Sequence, residues 1–252
     1  MNKVNTILVV LLFSAFFAKG QNLDSSMQRA ILFLHQQAPS NSYNIQFLFA
    51  LLARQYSFEK QLLFSIDTMQ IKYGDDAVVY NFYNKLLGNN NKQNEDSLAN
   101  YYSNSRDLEH LLLWGANAQL LPLDSTCQTF VQNYLTDSTN IRQLAHIALA
   151  FSWAKAQGSN KDLVFIRLHQ TKLLHLLLKY IDIQPVCSDN WMEGLVALVC
   201  LDKEELILDD WIKAIRDGQS LDGGWSWNPR VNERAHHHTT ILALWVLLAT
   251  ST

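Results

Sequence analysis

Gln219-Ser-Leu-Asp-Gly-Gly-Trp-Ser-Trp-Asn-Pro229, followed closely by Ala235-His-His-His-Thr-Thr-Ile-Leu-Ala-Leu-Trp245, carries the strongest structural signal in the chain. A polar turn with paired glycines and tryptophans runs into three histidines, which open a helix apolar on nearly every side. Gly223 and Gly224 allow backbone that a Cβ would obstruct. Trp225 and Trp227 bring large flat surfaces that cover a helix end. A helix greasy all round must be buried all round, so Thr239 to Ala249 needs neighbours on each face.

The rest of the chain can supply them. Segments of helical period alternate between two kinds. Ser26 to Gln37, Glu59 to Lys72, Thr126 to Leu135, Leu163 to Tyr180 and Glu204 to Arg216 are amphipathic. Ile45 to Ala53, Ala77 to Leu87, Leu108 to Leu121, Leu144 to Ala154 and Trp191 to Leu201 are apolar nearly all round, as is Thr239 to Ala249. The remaining amphipathic member falls within Asp96 to Tyr102. The pairs recur at roughly 32 to 49 residues, a spacing found in helical-repeat architectures. No run alternates strictly enough for a strand, so the expected class is all-α. About six hairpins, each an inner and an outer helix, predict two concentric rings, an α/α toroid. The competing arrangement is an open solenoid. Closure is favoured because the chain ends on the apolar helix Thr239 to Ala249, which needs a partner.

Composition narrows the class further. The chain has 252 residues, 48% of them apolar and 11% aromatic, enough for one sizeable core. Its formal charge is −3, with Lys and Arg scattered. Nucleic acid is therefore not an expected partner, since phosphate neutralisation needs a concentrated basic surface. No linker divides residues 21–252, which read as one domain, with Asn89 to Asp96 a loop inside it. Residues 1–20 read as a signal peptide: Lys3, the apolar run Ile7 to Phe17, and the small-x-small site Ala18-Lys-Gly20. That run is shorter than the roughly 20 residues that span a bilayer. The expectation is cleavage near Gly20, export to the periplasm or beyond, and no stable membrane span. Cys127, Cys187 and Cys200 are too few for a disulfide framework. They form either one bridge with one free thiol, or three thiols.

Gln219, Asp222, Gly223, Gly224 and Trp225, with Ile215 one helical turn ahead, resemble the Gln-x-x-Asp-Gly-Gly-Trp repeat of the terpene cyclase and protein prenyltransferase superfamily. Thr240-Ile-Leu-Ala-Leu-Trp-Val-Leu247 is similar to the inner helix that follows that motif. The resemblance covers this C-terminal repeat and implies a toroid with an apolar, isoprenoid or lipid-like ligand in its central cavity. It gives these five residues a structural role: the glutamine bonds helix-end backbone and the tryptophan packs on the next hairpin. The acid motif of class II cyclases has no full counterpart, because Leu208-Asp-Asp-Trp211 lacks its first aspartate. In prenyltransferase β-subunits an Asp-x-Cys pair and a histidine at two inner-helix starts hold zinc. Aligned on Trp191-Met-Glu-Gly-Leu195, Cys187 falls at the cysteine, His237 or His238 at the histidine, and Pro185 at the aspartate. A zinc site implied by the resemblance would thus rest on Cys187 and His238.

The residues themselves point to the same end of the array. Candidate ligand-binding residues are Asp189, Trp191, Glu193, His237 and His238, all near inner-helix starts. Successive helical residues point about 100° apart, so His236, His237 and His238 cannot all face one ion. A catalytic zinc takes three protein ligands and an open position, which Cys187, one of the histidines, and Asp189 or Glu193 would provide. Other inner-helix starts carry Tyr43 and Asn44, Asp75 and Asp76, Asp107 with Glu109 and His110, and Arg142 with Gln143 and His146. N-cap preference also accounts for the aspartates and asparagines among them. The leading expectation is binding of, or catalysis on, an apolar ligand in a cavity lined by Tyr80, Tyr83, Trp114, Trp153 and Trp245. One rival is a non-catalytic module that holds a peptide or protein partner. Another is a glycan-active (α/α)-barrel enzyme, with facing carboxylates drawn from Asp107, Glu109, Asp189 and Glu193.

Overall fold

A computed structural model describes residues 23–37, 43–56, 58, 95–137, 140–157, 162–229 and 234–251. The signal-peptide segment, the helices expected over Glu59 to Lys72 and Ala77 to Leu87, and Asp75, Asp76, Tyr80 and Tyr83 lie outside them.

The described chain is helical almost throughout. Its helices are α1 (Ser25–Gln37), α2 (Tyr43–Gln55), α3 (Glu95–Asn104), α4 (Asp107–Ala116) and α5 (Ser125–Asp137). They continue with α6 (Ile141–Ala156), α7 (Leu163–Ile181), α8 (Asp189–Cys200), α9 (Asp209–Asp217) and α10 (His237–Ala249). The expected run Glu204 to Arg216 divides into a short 3₁₀ turn, Glu204–Leu206, and α9. The expected helix Leu108 to Leu121 stops at Ala116, because Asn117 turns its side-chain amide back onto the Leu113 carbonyl at 3.1 Å. Such local bonding competes with helix propagation.

Hydrophobic period decides which helices meet. α4 packs on α6, α6 on α8, and α8 on α10, so the apolar helices form one continuous row. The amphipathic helices lie outside it: α5 touches α4 and α6, while α7 lies along α6 and α8. Every residue of α10 from Thr239 to Ala249 is buried, and this helix packs on α8, α1 and α2. One hydrophobic cluster runs from Met27 of α1 to Leu248 of α10.

The C-terminal motif joins the two ends of the described chain. Gln219 accepts a hydrogen bond from Arg29, and its amide donates to the carbonyls of Ser26 at 2.9 Å and Gly223 at 2.7 Å. Arg216 pairs with Asp24 at 3.1 Å. Asp222 accepts from the Gly224 N–H at 3.2 Å. Gly223 has φ +95, and a Cβ there would lie 2.5 Å from the Arg29 carbonyl oxygen. Trp225 is fully buried, donating its indole N–H to the Ile215 carbonyl at 2.7 Å. No strand is expected here, yet Trp225–Ser226 pairs antiparallel with Ala235–His236. Two-residue strands are too short to show alternation. After this pairing the last helix starts at His237, two residues before the expected Thr239.

The backbones of α4 and α6 approach closely at Gly115. A Cβ on Gly115 would lie 2.7 Å from the Ala150 carbonyl oxygen and 2.8 Å from its Cα, both backbone atoms. Gly115→Ala is therefore expected to lower stability by about 1 to 3 kcal/mol through overpacking, although alanine is the better helix former. A urea midpoint at or above the parent's would show that the two helices part without cost.

Candidate functional site

Three helix starts converge at one place. Arg142 is the second residue of α6, Asp189 the first of α8, and His238 the second of α10. Glu193 sits one turn beyond Asp189 on the same face of α8. The start of α8 is fixed by its N-cap Ser188, whose hydroxyl accepts from the Trp191 N–H at 3.3 Å.

Asp189 organises the group. Its Oδ1 accepts from the Thr239 hydroxyl at 2.7 Å and from His238 Nδ1 at 2.9 Å. A carboxylate only accepts, so Nδ1 carries the proton and His238 presents Nε2 to the interior of the cluster. That Nε2 lies 4.0 Å from Glu193 Oε1. The ligating atoms of Asp189, Glu193 and His238 all fall within 4.8 Å of one another.

Glu193 is the unusual member. Its side chain is 4% exposed, and neither carboxyl oxygen has a hydrogen-bond partner. Arg142 Nε stands 3.5 Å from Oε1, inside ion-pair range but without hydrogen-bond alignment. Burial, and then the charge of Asp189, push its carboxyl up to about 7, against the opposing pull of His238 and Arg142. A carboxyl poised there takes up or gives out a proton near neutral pH. Nearby, burial together with Arg142 and His238 holds His146 below the usual histidine value, outweighing its bond to the Arg142 carbonyl. Trp227 stands over the group, its ring 6.1 Å from that of His238 and 5.0 Å from that of His236.

The structure therefore brings together Asp189, Glu193 and His238 from the sequence candidates, and adds Arg142 and Thr239. Trp191 does not join them. It lies two positions beyond Asp189, about 200° around the helix, and packs in the core with its edge on Trp211. His237 stacks on His236 at 4.5 Å instead of facing Asp189. Burial and the neighbouring His236 and His238 lower its pKa.

Cys187 also stands apart. Its backbone is left-handed (φ 62), and its thiol donates to the Ala214 carbonyl of α9 at 3.3 Å. Burial pushes that thiol up to about 11, the Asp217 charge adding to the effect. Among the described residues no metal-binding group joins Cys187 to His238, and Arg142 already supplies a cation beside Glu193. These residues do not fit the zinc centre that the resemblance implies. Cys127, Cys187 and Cys200 are all unpaired and buried.

Trp114 and Trp245 are buried in the continuous core, with Trp153 packed against it. Asp189 and Glu193 share one helix face, so they do not confront each other across a sugar site. Asp107 and Glu109 lie in no metal-binding group with them among the described residues, and Glu109 accepts from the Tyr101 hydroxyl at 2.6 Å.

No family model matches the chain, and the searches of curated proteins and of solved structures find no match either. Among the described residues no helix is long and apolar enough to cross a membrane.

Proposed function

We propose that this protein is an exported α/α toroid of the terpenoid cyclase and prenyltransferase-like type. It binds or acts on an apolar, isoprenoid or lipid-like ligand where α6, α8 and α10 begin. The observation that carries the reading is Glu193, a buried carboxyl with two unbonded oxygens that titrates near neutrality. Burying such a group unsatisfied is costly, and a ligand's polar atom is what would complete it. Around it, His238 is oriented by Asp189, and Arg142 adds a positive charge. Helix starts contribute a positive dipole end, which suits an anionic or hydroxyl head group. Beyond the group, the buried residues of α8 and α10 are mostly apolar. Ring closure is supported by the packing of α10 on α1 and α2.

The test is calorimetric titration of the mature protein with farnesol, farnesyl diphosphate and palmitate. Saturable binding of one of them, weakened at least tenfold by Glu193→Gln, is the expected result. No saturable heat with any of the three ends the ligand reading. The second reading, a non-catalytic interaction module, rests on the burial of α8 and α10 along almost their whole length. It would then stand first.

A further inference from the structure

A second polar group lies well away in sequence, at the starts of α4 and α5, and the reading above does not use it. His110 is in the first turn of α4. Asp124 caps α5, its Oδ1 accepting from the Cys127 N–H at 3.0 Å. The ligating atoms of His110, Asp124 and Cys127 all lie within 4.8 Å of one another.

The hydrogen bonds around His110 fix its ring. Ser105 gives its hydroxyl proton to the Tyr102 carbonyl at 2.8 Å. His110 Nδ1 lies 2.9 Å from that same carbonyl and 3.0 Å from the Ser105 oxygen. Only a proton on Nδ1 satisfies both contacts. The ring is also held face to face on Tyr102, with centroids 3.8 Å apart. Nε2 is then directed at Asp124 Oδ2, 2.9 Å away. A bare imidazole lone pair and a carboxylate oxygen repel at that distance, so a proton or a metal ion must sit between them.

Three features favour a metal. Donation of the far ring nitrogen to a backbone carbonyl is the usual outer-shell support for a metal-ligating histidine. The third donor is a thiol, Cys127, 1% exposed on the inner side of the pair. An open cleft of about 740 Å³, lined by Tyr102, Arg106, Asp107, His110 and Asp124 among others, reaches the group from solvent. We propose that His110 Nε2, Asp124 Oδ2 and Cys127 Sγ form a zinc-binding site, with the fourth position open to water in this cleft. Nitrogen, oxygen and sulfur together suit zinc and exclude calcium and magnesium, which take oxygen sets. Zinc bonds of 2.0 to 2.3 Å place tetrahedral ligands about 3.4 to 3.7 Å apart, so Nε2 and Oδ2 must part from 2.9 Å to admit the ion. On binding, the Cys127 S–H bond breaks, a Zn–S bond forms, and the proton leaves through the cleft to solvent.

The experiment uses mature protein freed of metal with a chelator and titrated with zinc chloride by calorimetry. One equivalent is expected to bind and to raise the thermal midpoint. Cys127→Ser and Asp124→Asn should each weaken zinc binding at least tenfold. Both are near-isosteric, and asparagine still caps α5, so their metal-free thermal midpoints should remain near the parent's. If one of them fails to fold, the other decides. Glu193→Gln and His238→Gln should bind zinc as the parent does, because they belong to the other cluster. Absence of zinc binding would leave His110 and Asp124 as a hydrogen-bonded pair and overturn the proposal. So would zinc binding that Cys127→Ser and Asp124→Asn leave intact, or that Glu193→Gln and His238→Gln abolish.

Discussion

Trp225→Ala is expected to lose about 3 to 5 kcal/mol of stability, the range for removing a buried large aromatic side chain. Trp225 is 1% exposed, and the substitution also leaves the Ile215 carbonyl without its 2.7 Å indole donor. That carbonyl is near the end of α9, where helix carbonyls have no partner in the helix itself. The indole therefore does two jobs, filling the core and closing a helix end. Trp227, two residues on, is 42% exposed and makes edge contact with His236. Its alanine variant is expected to cost only about 1 kcal/mol, the worth of an aromatic pair. Guanidinium unfolding of the two variants side by side checks the contrast. Equal midpoints would mean that the motif's tryptophan does not anchor the last helix.

Much of the architecture is legible in the sequence because the apolar helices announce themselves. α8 and α10 consist almost wholly of residues that cannot face water, and both are buried as that pattern demands. The motif from Gln219 to Trp225 is legible for a different reason. Its glutamine, glycines and tryptophan each have a definite structural role, and the contacts to Ser26, Arg29 and Ile215 carry it out. The short pairing of Trp225–Ser226 with Ala235–His236 escapes, since its register is set by tertiary packing and not by any period.

The candidate site is legible only in part. Asp189, Glu193 and His238 follow from their places at helix starts. Their mutual bonding depends on how α8 and α10 are rotated, which is also why Trp191 and His237, on other faces, drop out. Arg142 reaches Glu193 from a helix nearly fifty residues earlier, and only the packing of α6 on α8 makes them neighbours. His110, Asp124 and Cys127 have no motif spacing at all. The segment from Asn117 to Asp124 folds back beside the start of α4, a path that residue pattern does not encode.

Glu193 gives the sharpest pH dependence expected of this protein. In the unfolded chain its carboxyl has the ordinary value of 4.5, while in the fold it is held at about 7. A raised folded value means that the native state keeps a proton which the unfolded chain has already released. Its contribution to stability is thus fully present below pH 4.5 and is lost progressively until the pH passes about 7. The loss is on the order of 3 kcal/mol, at a side chain only 4% exposed and so little screened by solvent. Glu193→Gln keeps the shape and removes the charge. It is expected to flatten this part of the pH profile, matching the parent near pH 4.5 and exceeding its stability at pH 8. Denaturant midpoints for both proteins across that interval measure the difference. Parallel profiles would show that the buried carboxylate is compensated at every pH, with Arg142 and His238 fully offsetting its desolvation. A proton-donating role for Glu193 would then lose its physical basis, because the group would be ionised throughout the neutral range.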